Sequence, residues 1–202
     1  MPKSTWIKNP LACLANNAGG GIVIRGSQII ECVPTGRAPV TVEESDINVF
    51  DASDHVVLPG LINTHHHFYQ TLTRACPVAL NKPLFPWLQS LYPIWAELNP
   101  EMMAVASKLA LAESLLSGCT TIADHHYLFP KALSHAIDIQ VEQVNALGVR
   151  AHLTRGSMSL GVDQGGLPPQ STVQSEDVIL ADSERLIREF HDPEPGAMVQ
   201  IA

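Results

Sequence analysis

Residues 59–72 read PGLINTHHHFYQTL, an apolar run that ends in three consecutive histidines. The β-branched and alternating composition of LINTHHH predicts a strand that begins directly after the Pro-Gly pair. Side chains alternate between the two faces of a strand, so His65 and His67 point to one face and His66 to the other. Two imidazoles on one face suit Zn²⁺ or Fe²⁺, provided that further ligands come from elsewhere.

The alternative for these histidines is a polar strand end whose imidazoles bond to the backbone. A lone buried histidine usually has that explanation, whereas a His-x-His pair at the exit of a strand has it much less often. A catalytic metal at this position would bind a water molecule and lower the pKa of that water towards neutrality. We therefore predict that His65 and His67 are metal ligands and that His66 has a structural role.

The pattern of apolar and polar residues differs between the part of the chain before this stretch and the part that follows it. Up to about Leu58 the sequence is β-like, with four short β-branched runs separated by Gly, Pro, Asn and Asp, namely GIVIRG, QIIECV, INVFDA and HVVLPG. Such runs indicate a small sheet. Residues 59–202 instead alternate apolar strands with amphipathic helices, and the strands are LINTHHH, TTIADHHYLF, VRAHLTRGSMSL and the start of a fourth in AMVQIA. We expect two domains, with the boundary after residue 58.

The helices of the second part carry terminal signals. Asn99 is expected to cap a helix that begins at Pro100, because proline is tolerated at the first helical position and asparagine accepts from the free N–H groups. Gly118 is expected just past the end of that helix, and Gly148 just past the end of the next. Ser175 is expected to cap the third helix, whose first turn is acidic.

The position of the polar residues decides between α/β folds. They lie at the carboxyl ends of the first three strands: residues 65–67, then 124–126, then 154–155. A doubly wound sheet usually carries a glycine-rich phosphate turn after its first strand, and no GxGxxG or GxxxxGK[ST] occurs here. Active sites of (β/α)8 barrels form where several strands end. We therefore predict an α/β fold, the amino-terminal half of a (β/α)8 TIM barrel, with the chain ending in barrel strand 4.

Composition excludes several classes of partner. The 202 residues carry a net charge of -8 and no run of Lys or Arg, so a nucleic-acid partner is not expected. The four cysteines form no CxxC, which fits a reducing cytosol better than a disulfide framework. No apolar run reaches the ~18 residues of a membrane span. The early apolar run LACLA is too short for a signal peptide. We expect a cytoplasmic protein without a membrane partner.

The segment LPGLINTHHHFYQTLTRA resembles the first-strand signature of the amidohydrolase superfamily, PG…(D/N)THxH. The likeness continues through LFPWL and SLLSGCTTIADHHYLFP to TRGSMSLGVDQGGLPP, over essentially the whole chain. Within the superfamily the chain is most similar to the aminohydrolase (deaminase) branch, and there to 8-oxoguanine deaminases. The resemblance implies a barrel beside a small β-sandwich built from both chain ends, so that residues 1–58 would be the amino-terminal part of the sandwich.

The resemblance also implies one bound divalent metal, Zn²⁺ or alternatively Fe²⁺, and hydrolytic loss of ammonia from an aromatic ring. With 8-oxoguanine and water as substrates, the products would be urate and ammonia. The alternatives within this class are hydroxylated s-triazines, guanine or another purine. A homo-oligomer is expected.

Individual positions match the family pattern. His65 and His67 match the two metal ligands of strand one. Gln70 matches a glutamine near the purine, with a residue of the first helical turn as the alternative. Trp87 resembles an aromatic wall of the substrate pocket, with simple packing as the alternative. Arg155 could bind a carbonyl oxygen of the purine through its fork of N–H donors, with an ion pair as the alternative.

Three further residues end the second strand. His125 and Tyr127 could face either the pocket or the barrel wall, and His125 is kept as a candidate for substrate binding. Asp124 is interpreted as a structural hydrogen-bond acceptor and not as a metal ligand.

The family's remaining machinery comes from later strands: a third His and a general acid/base Glu, a further His, and an Asp. None of these is present, so no catalytic residue is assigned within this chain. A complete barrel takes roughly 250 residues, and residues 59–202 cover little more than half of that length. We expect this chain alone to bind metal weakly and to be inactive. An alternative of another class is a non-catalytic scaffold that oligomerises through its open barrel edge.

Overall fold

A computed structural model describes residues 3–202, which form two compact units, residues 3–60 and residues 61–202. The division after Gly60 lies two residues beyond the boundary expected from composition. The first unit contains six strands: β1 (Ser4–Lys8), β2 (Ala12–Cys13), β3 (Gly21–Arg25), β4 (Gln28–Val33), β5 (Ile47–Asp51) and β6 (Val56–Val57).

These strands form one mixed sheet of order β4-β3-β1-β5 and a short parallel pair, β2-β6. Trp6, Val23 and Val33 are the buried core of the unit, and the indole N–H of Trp6 donates to the carbonyl of Gly20 at 3.0 Å. Each of the four predicted β runs contains a strand. The central strand β1 was not predicted, because its buried positions begin with Ser4, whose polarity hides the alternation.

The second unit contains four strands and four helices: β7 (Leu61–His66), α1 (Leu84–Trp95), α2 (Pro100–Leu116), β8 (Cys119–His126), α3 (Ala136–Leu147), β9 (Arg150–Arg155), α4 (Glu176–Phe190) and β10 (Val199–Ile201). The strands pair in the order β10-β9-β8-β7, all in parallel. Spatial order therefore follows chain order, with helices in every connection. This arrangement confirms the predicted series of parallel βα units.

Apolar side chains from the strands and from the helices form one core. It includes Ile122 and Leu153 from the sheet, and Leu111, Ile137 and Leu186 from the helices, all with at most 1% of their surface exposed. Strand β7 lies at one edge of this sheet and pairs with β8 among residues 3–202, and Leu61 and Ile62 within it are 59% and 66% exposed.

Helix ends follow the predicted signals with one exception. The Asn99 side chain accepts from the Met102 N–H at 3.0 Å, and Gly118 and Gly148 adopt left-handed φ angles of +85° and +66°. These conformations suit glycine because it lacks a Cβ. Ser175 stands at the N-cap of α4 in an extended conformation, but its side chain makes no capping hydrogen bond. The predicted capping bond at that position is wrong.

Helix α1 spans the segment LFPWLQSLYPIW, which is rich in Pro and Trp and for which no helix was predicted. Its prolines hide the helical pattern, although Pro86 occupies the first turn, where no intrahelical N–H bond is lost. Six short 3₁₀ segments fill the connections, and the longest, Phe68–Thr73, directly follows the three histidines.

Two properties bear on the environment of the chain. In the part of the chain that the structure describes, every helix is too short or too polar to cross a membrane. All four cysteines are free thiols.

The two capping positions provide a matched test of helix stability. We expect Asn99→Ala to lower the free energy of unfolding by about 1 kcal/mol, because the Met102 N–H then loses its acceptor. Ser175→Ala removes a hydroxyl that makes no capping bond and should cost clearly less. Urea denaturation of both variants measures the difference, and equal losses would contradict the assignment of the cap to Asn99.

Candidate functional site

The end of strand β7 brings two of the three histidines together. The Nε2 atoms of His65 and His67 lie 3.2 Å apart, with their rings nearly perpendicular. His65 belongs to β7, and His67 directly follows its last residue in an extended conformation, so the alternation of side chains brings both rings to one side. The pairing between β7 and β8 is irregular between Asn63 and His66. The Asn63 side chain accepts from the backbone N–H of His65 at 3.1 Å and so holds the first of the pair.

His67 is fixed through its second ring nitrogen. Its Nδ1–H donates to the backbone carbonyl of His125 at 2.6 Å, so that Nε2 carries the free lone pair. Burial lowers the pKa of His67 below its ordinary value, and the neighbouring rings of His65 and His125 act in the same direction. A neutral imidazole with a free Nε2 lone pair is the state in which histidine binds metals.

The spacing of this pair fits two ligands of one metal ion. Two nitrogens bound to tetrahedral zinc at ~2.0–2.1 Å lie ~3.3 Å apart. The observed Nε2–Nε2 distance is 3.2 Å. No group of three His, Cys, Asp or Glu side chains in metal-binding geometry occurs among residues 3–202. These residues could therefore hold two of the coordination positions of a zinc ion, and further ligands must come from other residues.

His125 lies beside His65 and His67 but does not form a group of three metal ligands with them. Its ring stacks on that of His65 with 4.6 Å between centroids, and its Nε2 contacts the backbone carbonyl of Thr64 at 3.3 Å. The Nε2–H group therefore points at the backbone of β7. Its role in substrate binding stays a prediction.

A pocket of about 420 Å³ opens in front of the histidines. We call it the histidine pocket, and its lining residues come from the end of β7, from residues 67–75 that follow it and from helix α1: His65, His66, His67, Gln70, Thr71, Thr73, Arg74, Ala75 and Trp87. The Gln70 amide donates to the Tyr69 hydroxyl at 3.3 Å, which orients its Nε2. The structure thus brings Gln70 and Trp87 to the same pocket as the histidine pair.

His66 also lines this pocket, although strand alternation placed it on the opposite face. Pairing between β7 and β8 is irregular near His66, so strict alternation of side chains does not hold there. The pocket therefore extends around the end of the strand, where it reaches His66 as well. The His66 ring packs edge-on against Phe68, and its Nδ1 is buried without a partner. Burial lowers the pKa of His66, which favours the neutral ring.

Arg74 is a pocket residue that sequence reasoning missed. It forms a two-pronged ion pair with Glu113 of α2, with N–O distances of 2.9 and 2.7 Å. One feature of the sequence could have pointed to Arg74. It lies four residues after Gln70, in the segment that directly follows the three histidines. That spacing alone does not separate a pocket residue from a solvated one.

Arg155 forms an ion pair, which was the alternative to substrate binding for this residue. Its guanidinium, with the side chain fully buried, donates to Asp182 at 3.1 Å, to Gln174 at 2.6 Å and to the carbonyl of Gly156 at 2.8 Å. It also lies over the Phe129 ring at 4.1 Å. Arg155 does not line the histidine pocket. A role in substrate binding stays a prediction.

Removing this guanidinium should destabilise the second unit. We expect Arg155→Met to cost about 3 kcal/mol of unfolding free energy, at the lower end of the range for broken buried pairs because Asp182 keeps Arg185 as a partner. Arg188→Met is the matched control, since that side chain is 67% exposed and its ion pair with Glu189 is long, at 3.8 Å. Equal unfolding midpoints for the two variants would contradict a structural role for Arg155.

The remaining residues at the end of β8 point into the protein. Asp124 is fully buried and accepts from the backbone N–H of Phe68 at 2.6 Å and from the Gln140 amide, in agreement with its interpretation as an acceptor. Burial raises the pKa of Asp124 to about 7, against the opposing effect of these donors. Tyr127 packs on the core, with its ring centroid 5.5 Å from that of His67.

Comparisons with known proteins agree with this architecture. The model of the amidohydrolase family matches residues 56–202. The chain is 60% identical to 8-oxoguanine deaminase from Pseudomonas aeruginosa over 98% of its own length and 44% of the relative's. It is 34% identical to hydroxydechloroatrazine ethylaminohydrolase from Pseudomonas sp. strain ADP, covering 91% of this chain and 40% of that protein. The chain therefore spans less than half of these curated relatives.

A solved structure shows the same fold. Atrazine chlorohydrolase TrzN from Arthrobacter aurescens TC1, complexed with zinc, superposes with a TM-score of 0.83 at 30% identity, over 98% of this chain and 46% of that one. The predicted fold class, the first half of a (β/α)8 barrel preceded by part of a small β-sandwich, is confirmed by such amidohydrolase barrels. The match of the family model over most of its length shows that this chain belongs to the amidohydrolase family.

Proposed function

We propose that the protein carrying this chain is a metal-dependent hydrolytic deaminase of an oxidised purine. Its reaction would convert 8-oxoguanine and water into urate and ammonia. The observation that carries the proposal is the convergence of His65 and His67, Nε2 to Nε2 at 3.2 Å, on a pocket that also contains Gln70 and Trp87. The 60% identity to an 8-oxoguanine deaminase supports the substrate class.

In this proposal His65 and His67 hold one divalent metal ion, with zinc favoured because the structural relative TrzN was crystallised with zinc. A bound metal would supply a hydroxide nucleophile near neutral pH by lowering the pKa of its water. The remaining ligands and the general acid/base carboxylate would come from residues outside this chain. The His67 Nδ1–H bond to the His125 carbonyl keeps the ligand in the required tautomer.

The other pocket residues would recognise the heterocycle. The Gln70 amide can donate to one ring atom and accept from another, which suits the edge of a purine. The Trp87 ring supplies an apolar face for stacking, and its own position is supported by Trp95, 5.4 Å away between centroids. The histidine pocket, with a volume of about 420 Å³, would be the part of the substrate site that this chain supplies. We propose a cytoplasmic homo-oligomer as the working form.

The competing substrates are guanine, another purine or a hydroxylated s-triazine, since a relative at 34% identity is hydroxydechloroatrazine ethylaminohydrolase. An ammonia-release panel over 8-oxoguanine, guanine, isoguanine and hydroxyatrazine, run on the protein at its natural full length, separates them. We expect the highest kcat/KM with 8-oxoguanine. We also expect loss of activity after chelation and its return with added zinc. A higher kcat/KM with hydroxyatrazine would replace the purine assignment, and ammonia release that is unaffected by chelation would refute metal dependence.

A further inference from the structure

The end of strand β8 contacts the His67–Phe68 junction at two points. The backbone carbonyl of His125 accepts from the ring of His67, and the carboxylate of Asp124 accepts from the backbone N–H of Phe68, both at 2.6 Å. These two acceptors come from adjacent residues of one strand. Strand β8 therefore holds both the ring of His67 and the backbone N–H of Phe68.

The Asp124 carboxylate replaces a strand hydrogen bond that β7 no longer makes. Pairing of β7 with β8 is irregular after Asn63 and stops at His66, which lies opposite Asp124. The Phe68 N–H comes after the last paired residue, and both Phe68 and Asp124 are fully buried. A buried N–H without an acceptor is unfavourable, so the orientation of this peptide depends on the Asp124 side chain.

A second element holds the carboxylate itself. The Gln140 amide of helix α3, also fully buried, donates to the other oxygen of Asp124. Helix α3 packs on both β9 and α2 and is part of the core. The contacts therefore run from the core through Gln140 and Asp124 to the backbone that follows His67.

We propose that Asp124, supported by Gln140, is a positioning residue that sets the imidazole of His67 for metal binding. The proposal rests on the proposed function, since it assumes that His67 binds a metal. The carboxylate bonds to the Phe68 N–H and to the Gln140 amide, so it would act through the Phe68 peptide. A carboxylate with a purely structural role would affect metal affinity only through the stability of the fold. Loss of a positioning carboxylate should weaken metal affinity by more than the loss of stability accounts for.

The chemistry of the contact supplies a conservative variant. Asn in place of Asp124 keeps an oxygen that can accept from the Phe68 N–H. Its NH₂ group can donate to the Gln140 oxygen once that amide flips, and this oxygen has no partner in the present arrangement. Ala in place of Asp124 removes both acceptors and leaves the Phe68 N–H unpaired.

The test is the zinc affinity of the full-length protein, measured by competition with a chromophoric chelator, together with the visible spectrum of the Co²⁺-substituted form. We expect Asp124→Ala to weaken zinc binding about 10–100-fold and Asp124→Asn to weaken it less than about 10-fold. The Co²⁺ spectrum should change in the Ala variant and be close to wild type in the Asn variant. Leu186→Ala is the control, because it removes a fully buried core side chain of α4 and should lower the unfolding midpoint without changing zinc affinity.

The outcomes separate the two levels of the proposal. A wild-type protein that binds no zinc refutes the proposed function, whereas zinc binding by wild type and Asp124→Ala with equal affinity refutes the positioning role alone. Equal weakening in the Asn and Ala variants refutes the hydrogen-bond account. If Asp124→Ala does not fold, Gln140→Met decides, because it retains Asp124 and removes its support. Weaker zinc binding in that variant supports the proposal, and unchanged binding overturns it.

Discussion

His67→Ala should lower the zinc affinity of the full-length protein by more than about 100-fold, because changes in outer-shell residues already cost 10–100-fold and this change removes a proposed ligand itself. Ammonia release at a limiting zinc concentration should fall in parallel. The reason lies in the geometry: the Nε2 atom lies 3.2 Å from that of His65, and its lone pair is held free by the Nδ1–H bond to the His125 carbonyl. Chelator competition measures the affinity and a coupled ammonia assay measures the activity.

The neighbouring histidine provides the control. His66 lines the same pocket, but its ring packs on Phe68 and not against the other two imidazoles. His66→Ala should therefore weaken zinc binding much less than His67→Ala, while His65→Ala should match the effect of His67→Ala. An effect of His66→Ala as large as that of His67→Ala would show that the assignment of ligands by strand alternation is wrong.

Trp95→Ala should destabilise the second unit by about 3–5 kcal/mol, the range for truncation of a large buried aromatic side chain. Trp95 is fully buried in helix α1, and its indole N–H donates to the Thr73 hydroxyl at 3.0 Å. Its ring packs edge-on against Tyr69, Tyr92 and Trp87 with centroids 5.1, 5.7 and 5.4 Å away. The substitution leaves a cavity beneath the histidine pocket, so urea denaturation should show a large loss.

Phe85 offers a matched control on the same helix. Its side chain is 63% exposed, and Phe85→Ala should change the unfolding free energy by less than about 0.5 kcal/mol. A similar loss for both variants would mean that α1 is stabilised by its exposed face and not by packing of Trp95. Trp87→Ala should act differently from either: in the full-length protein it should raise KM for the proposed heterocyclic substrate, since Trp87 lines the histidine pocket, whereas Trp95 packs against Trp87 outside it.

The first half of the barrel could be predicted because its signals are local. Alternating apolar residues, the Asn99 cap and the glycines that end α2 and α3 each act within a few residues of their position. Helix α1 escaped prediction because its prolines are usually read as breaks, although one of them lies in the first turn, where the lost N–H makes no intrahelical bond. The central strand β1 escaped because one of its buried positions is the polar Ser4.

The candidate site likewise contains features that the sequence predicts and features that it does not. The convergence of His65 and His67 follows from spacing along one strand, which the sequence contains in full. The surroundings of Arg155 do not follow from spacing, since its partners Gln174 and Asp182 lie 19 and 27 residues away in the chain. The same residue type at the same strand end could serve a substrate or an ion pair, and only the packing of α4 against the sheet brings Asp182 to it.

By itself the sequence determined the parallel order of the βα units and the change in residue pattern near residue 58. It also determined that two histidines share a face. Each of these features depends on periodicity or on neighbouring residues. Tertiary structure alone decided which backbone groups hold those histidines. The Phe68 N–H meets the Asp124 carboxylate across 56 residues, and Gln140 reaches that carboxylate from a helix. Such contacts arise because a buried N–H must find an acceptor, and the acceptor that is available depends on how strands and helices pack.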